Sequence, residues 1–175
     1  MRCSLNDTII THPRQMKKPI TSHNTSMTNI DRRNKSKMQI TDSLEYRELV
    51  MLEKILSSFV PGSMLLYKYD KYVKPVSQSG RFMYADRAKL MPGEKSQCHR
   101  NTINLYQANI ENTSIATGYA WVKNNLWVEH SWLIHWLDKK RTKFEIVETT
   151  IKRNAYFGKI LNEAEAEEFI QYCYS

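Results

Sequence analysis

The run LWVEHSWLIHWLDKKRTKFEIVETT, residues 126–150, constrains the fold of this chain more than any other stretch. Successive side chains on a strand point to opposite faces. Leu126, Val128, His130, Trp132, Ile134 and Trp136 therefore share one face, and Glu129, Ser131, Leu133, His135 and Leu137 share the other. In the next run Phe144, Ile146 and Glu148 share a face, opposite Glu145 and Val147. The polar DKKR at 138–141 falls between the two runs, the usual arrangement in a hairpin. His130 and Glu148 each end an otherwise apolar row, and a carboxylate buried there without a partner is very costly. Pairing Ile134 with Phe144 and Trp132 with Ile146 predicts a loop of about five residues and sets His130 directly opposite Glu148. A slip of one residue would send the two apolar rows to opposite faces, so burial should enforce this parity.

The flanking sequence predicts an α+β domain, with helices first and an antiparallel sheet afterwards. TDSLEYRELVMLEKILSSF carries Leu44, Leu49, Leu52, Ile55 and Leu56 at helical spacing, with Thr41, Asp42 or Ser43 as cap and PGS at 61–63 as the stop. MLLYKYDKYV alternates as a strand does, and GRFMYADRAKLMPGEK reads as loop-rich. A helix is expected from Gln97 to Asn109, then strands over Ser114–Lys123, Leu126–Leu137 and Thr142–Thr149. NEAEAEEFIQYC, capped by Asn162, predicts a closing helix.

The formal charge of +8 raises nucleic-acid binding as a rival function, and its distribution argues against it. Residues 1–41 hold eight basic side chains against Asp7 and Asp31, so most of the excess lies there and residues 42–175 are nearly balanced. That Ser-, Thr-, Asn- and Lys-rich segment has little hydrophobic periodicity and reads as a basic, disordered tail. The plain flexible tail is the first expectation; behind it, unranked, stand a targeting or secretion segment, which would make the protein an exported effector, and an extension ahead of a start at Met38. Three cysteines are poor material for a disulfide framework and fit a reducing, cytoplasmic setting. The N-terminus lacks the apolar run of a signal peptide, and no stretch approaches the roughly 18 apolar residues of a membrane span.

SQCHRNTINLYQAN, from Ser96 to Asn109, places a thiol at the start of the expected helix. With Ser96 as N-cap, Cys98 falls at the second helical position, where the positive end of the helix dipole should lower its pKa. A thiol on a helix start, a His on one strand and a carboxylate on the next are the parts of an activated nucleophile. Cys98 would attack, His130 would carry the proton, and Glu148 would orient the imidazole. Structural readings compete with this one. Cys98 can be a small core residue, as Cys173 in the last helix reads, and the tryptophans at 121, 127, 132 and 136 read mainly as core. A zinc site from Cys98, His99, His130 and His135 is not expected, because no second cysteine is near and His130 and His135 point to opposite faces. No cofactor is called for.

The order Cys, His, acid, with the thiol opening a helix and the others on consecutive strands, resembles the transglutaminase/papain-like cysteine hydrolase superfamily. Small bacterial and phage-type members are the nearest likeness. The marks are CHRN at 98–101, GYAW at 118–121, EHSW at 129–132, VETT at 147–150 and YFG at 156–158, over about Lys95–Lys159. The resemblance implies a papain-like catalytic domain over 42–175, its nucleophile helix packed on an antiparallel sheet, with Cys98 as nucleophile, His130 as base and Glu148 as third member. It implies a hydrolase acting on amide bonds of a protein or peptide through a thioester: a thiol protease, a glutamine deamidase or a transglutaminase-like enzyme. The sequence departs from papain, since His99 rather than Trp follows the nucleophile, Gln97 is adjacent rather than upstream, and Glu replaces the usual Asp or Asn. Beside the enzyme stand two rivals, a nucleic-acid binder using the basic tail and a catalytically inactive papain-like interaction module.

Overall fold

The structure, a computed structural model, describes residues 43–66, 70–86, 88–108 and 111–175. The expectation for the basic tail at 1–41 lies outside them. In chain order the elements are α1 (Leu44–Phe59), β1 (Met64–Leu66), α2 (Val73–Ser79), β2 (Arg81–Tyr84), β3 (Lys89–Leu90), α3 (Cys98–Gln107), β4 (Thr113–Val122), β5 (Leu126–Trp136), β6 (Phe144–Glu148), β7 (Ala155–Ile160) and α4 (Glu163–Tyr174). The fold is α+β, four helices on a curled seven-stranded sheet of order β2-β7-β4-β5-β6-β3, with β1 alongside β5.

Local chemistry accounts for the ends of these elements. Ser43 is the cap of α1, its Oγ accepting from the Tyr46 N–H at 3.1 Å. Asn162 and Glu165 form a reciprocal capping box at the start of α4. The strand expected over MLLYKYDKYV is confined among the described residues to Met64–Leu66. Asp70 Oδ1 accepts the N–H groups of Tyr72 and Val73 at 2.7 and 3.2 Å and starts α2 instead. The stretch read as loop-rich contains β2 and β3, and β7 was not expected as a strand at all. The sheet is mixed rather than purely antiparallel, because β1 pairs with β5 and β3 with β6 in parallel.

Both sheet faces are buried. Leu49, Leu52 and Leu56 of α1 pack with Val73 and Val76 of α2 against Tyr119, Trp127 and Phe157 on the outer face. On the same face, Ile103 of α3 and Ala166 and Phe169 of α4 cover Ile115, Leu133 and Val147. The inner face closes on itself around Met83, Ala116, Ala120, Trp132, Ile134, Trp136, Ile146 and Tyr156. Burying each large apolar side chain contributes about 1.5–3 kcal/mol. Glycines make room for the largest of them. Gly158, Gly118 and His130 lie side by side across β7, β4 and β5, and a Cβ on Gly158 would come within 2.6 Å of the Trp132 ring. Gly158 is thus a strand residue, set in the middle of β7.

The β5–β6 hairpin keeps the expected parity but not the expected pairing. Ile134 faces Ile146 and Trp136 faces Phe144, two residues away from the sequence-based register. The turn decides this. Asp138 accepts from the Thr142 and Lys143 N–H groups at 2.9 and 2.8 Å, and Leu137 N–H bonds Lys143 C=O, closing the loop one residue later on each strand.

Candidate active site

The edge of β5 opposite β4 is shared by two strands. β1 covers Leu126–Val128 and β6 covers Leu133–Trp136, leaving Glu129–Trp132 without a strand partner there. Helix α3 fills this opening with side chains. Cys98 and Thr102, one turn apart, both meet Ser131: its N–H points at the Cys98 sulfur and its C=O accepts from Thr102 Oγ1 at 3.1 Å. The thiol is thereby seated at the break in the sheet, beside the residue that follows His130.

His130 and Glu148 lie on the inner face, 1% and 0% exposed. His130 Nε2 is 2.8 and 3.1 Å from the two Glu148 oxygens, although the shifted register places Glu148 diagonal to His130 rather than opposite it. A diagonal neighbour on one face is still within reach of two long side chains. The carboxylate also accepts from Tyr156 Oη at 2.8 Å, from Thr150 N–H at 2.8 Å and from Thr150 Oγ1 at 2.9 Å. The imidazole stacks beside Trp132 and Tyr156, with ring centroids 6.1 and 6.3 Å away.

These surroundings set the protonation states. Burial by itself would raise the Glu148 pKa, but the His130 hydrogen bond and charge, with the Thr150 donors, outweigh it and hold the carboxyl at about 2. Burial lowers the His130 pKa, against the pull of Glu148. The resting pair is accordingly neutral imidazole and carboxylate. Nε2–H then donates to Glu148, and Nδ1 is an open lone pair with no hydrogen-bond partner among the described residues.

Cys98 departs from expectation in two ways. Gln97, not Ser96, precedes the first helical residue, so the thiol occupies the first position of α3. Ser96 is instead a turn residue with φ of 60°. The pKa of the partly buried thiol is raised, not lowered, to about 11. Burial is the main cause and the charges of Glu129 and Glu148 add to it, outweighing the Ser131 and His99 N–H groups. The structure joins His130 to Glu148 directly and sets Cys98 against Ser131; no hydrogen bond links the sulfur to His130.

Sequence reasoning passed over the supporting residues. Tyr156, Thr150, Thr102 and Asn101 stand in the quoted motifs without a role there. Asn101 holds the approach to α3, accepting from the Glu94 N–H at 3.0 Å and donating to the Glu94 C=O at 2.7 Å. Gly93 packs so closely on Asn101 that a Cβ would fall 2.5 Å from its side chain. Thr150, two residues after the candidate acid, was the available signal. His135 pairs with Glu145 at 3.8 Å, away from His130. Among the described residues no group of three or more His, Cys, Asp or Glu is placed to hold a metal ion, and no helix is long and apolar enough to cross a membrane. Comparison with known proteins finds no matching family model, curated protein or solved structure.

Proposed function

We propose that the protein is a cysteine-nucleophile acyl-transfer enzyme of papain-like architecture acting on amide bonds, with Cys98, His130 and Glu148 in named roles. The observation that carries this reading is the buried His130–Glu148 pair. A buried imidazole–carboxylate pair with shifted protonation equilibria is a mark of a functional site, and the imidazole's open nitrogen belongs to the residue beside the Cys98 seat. With a high-pKa thiol and a neutral imidazole, the working mode is general base catalysis rather than a preformed thiolate–imidazolium pair.

As the sulfur attacks the amide carbon, its proton passes to His130 Nδ1, and Glu148 stabilises the imidazolium through Nε2–H. The Cys98 N–H, one of the orphan donors at the start of α3, faces the developing oxyanion. The tetrahedral adduct collapses as the C–N bond breaks and His130 returns the proton to the leaving nitrogen, giving a thioester. Water or an amine then resolves it, which separates hydrolysis and deamidation from transglutamination. The substrate is a protein or peptide amide.

Incubating the wild type and Cys98→Ala with host-cell lysate and reading products by mass spectrometry tests this. A gain of about 1 Da at Gln marks deamidation, new termini mark proteolysis, and amine incorporation marks transglutamination, each expected only with the thiol present. A Cys98→Ala protein with full biological effect would refute the enzyme and favour the inactive-module reading. Nucleic-acid binding through residues 1–41 would show instead as affinity falling steeply with salt.

A further inference from the structure

The residue after the proposed nucleophile has no part in acyl transfer, yet its side chain makes two polar contacts from the start of α3 to a single strand. His99 Nδ1 lies 2.7 Å from Ser131 Oγ, and His99 Nε2 lies 3.2 Å from Glu129 Oε1. Both partners stand on the outer face of β5, two residues apart, in the stretch that no strand covers on that edge. Ser131 passes the contact on to Thr117 Oγ1 of β4 at 3.1 Å. Glu129 passes it to Asp70, whose carboxyl starts α2. One imidazole therefore ties α3 to β5, β4 and the entry to α2. Ser–His–Glu is also the composition of a hydrolytic triad, but Ser131 is 0% exposed in mid-strand, so no substrate reaches its hydroxyl.

We propose that His99 is a positioning residue for Cys98: gripping Ser131 and Glu129 together, it holds the first turn of α3 on the open stretch of β5. The Ser131 N–H then stays on the Cys98 sulfur, and the Glu129 carboxylate, whose charge disfavours the thiolate, is held by the imidazole at 3.2 Å. The inference takes Cys98 to be the nucleophile, but thiol reactivity reads it without any substrate.

The test is the rate of iodoacetamide alkylation at Cys98 in the full-length protein, mapped by mass spectrometry from pH 7 to 10, with Cys173 as internal control. His99→Ala should slow Cys98 about threefold at pH 8, equivalent to an upward shift of about half a pKa unit. Glu129→Gln should quicken it by about the same factor, since one neighbouring negative charge is removed. His99→Asn, which can still reach Ser131, should recover part of the loss. An unchanged Cys98 profile in His99→Ala overturns the proposal, as does a shift of the same sign in His99→Ala and Glu129→Gln. Should His99→Ala fail to fold, Ser131→Ala decides, because it keeps the backbone N–H and removes only the anchor. A slower Cys98 supports the role and a wild-type profile overturns it. Shifted alkylation with a fully effective Cys98→Ala protein would refute the amidase and leave the positioning role standing; the reverse pattern would do the opposite.

Discussion

Glu148 stays charged inside an apolar curl because donors from His130, Tyr156 and Thr150 converge on its two oxygens. Its folded pKa is depressed, so its contribution to stability is complete above the ordinary carboxyl pKa near 4.5 and is lost as pH falls toward about 2. Urea titrations at pH 5 and pH 2.5 should show this loss, on the order of 3 kcal/mol, and Glu148→Gln should flatten it. On the proposed mechanism, in which Glu148 orients the base and does not attack, the same substitution should lower kcat on the order of 10²–10⁴-fold without abolishing turnover. Asp70 behaves in the opposite sense. Burial, with Glu129 beside it, raises its pKa from 3.8 to about 7, so its favourable contribution is complete below pH 4 and disappears as pH rises through 7. Asp70→Asn keeps the acceptor for the Tyr72 N–H and supplies a donor to Glu129. It should stabilise the fold by about 1 kcal/mol at pH 8 and by almost nothing at pH 4, as thermal melts at the two values would show.

Among the elements, the β5–β6 hairpin shows how far a pattern reaches. Alternation alone put His130, Trp132, Glu148 and Ile146 on one face, and they are on one face. It could not fix the pairing to better than a multiple of two, since a two-residue shift preserves every inside–outside assignment. Asp138 made that choice through three hydrogen bonds within the loop. The strand β7 escaped notice because AYFGKI is buried on both faces and has no alternation to read. Its glycine is a packing residue. Gly158→Ala would drive a methyl against the Thr117 carbonyl and the Trp132 ring, and should destabilise the fold by about 1–3 kcal/mol. A denaturant midpoint equal to wild type would show that the inner face is looser than these contacts imply.

At the scale of the whole molecule, charge and core are segregated along the chain. Residues 1–41 contribute most of the excess of basic side chains, and the core clusters are built from residues after 43. Removing 1–41 should therefore leave the melting temperature within about 2 °C of the full chain. The same deletion should abolish any affinity for nucleic acid, and a salt titration of DNA binding would register it.

What the sequence determined by itself was local: the Asn162 helix cap, the faces of the long strands, and two polar residues whose burial made sense only as a pair. Those features depend on periods of 2 and 3.6 residues and on hydrogen bonds a few positions apart, which a linear chain displays openly. The tertiary structure alone decided the break between β1 and β6 along β5 and the seat of Cys98 within that break. It also reversed the expected sign of the thiol's pKa shift. A helix start is visible in sequence, whereas the burial and the neighbouring carboxylates that overcome it come from strands and loops distant along the chain, and the energy of a charge depends on what surrounds it in space.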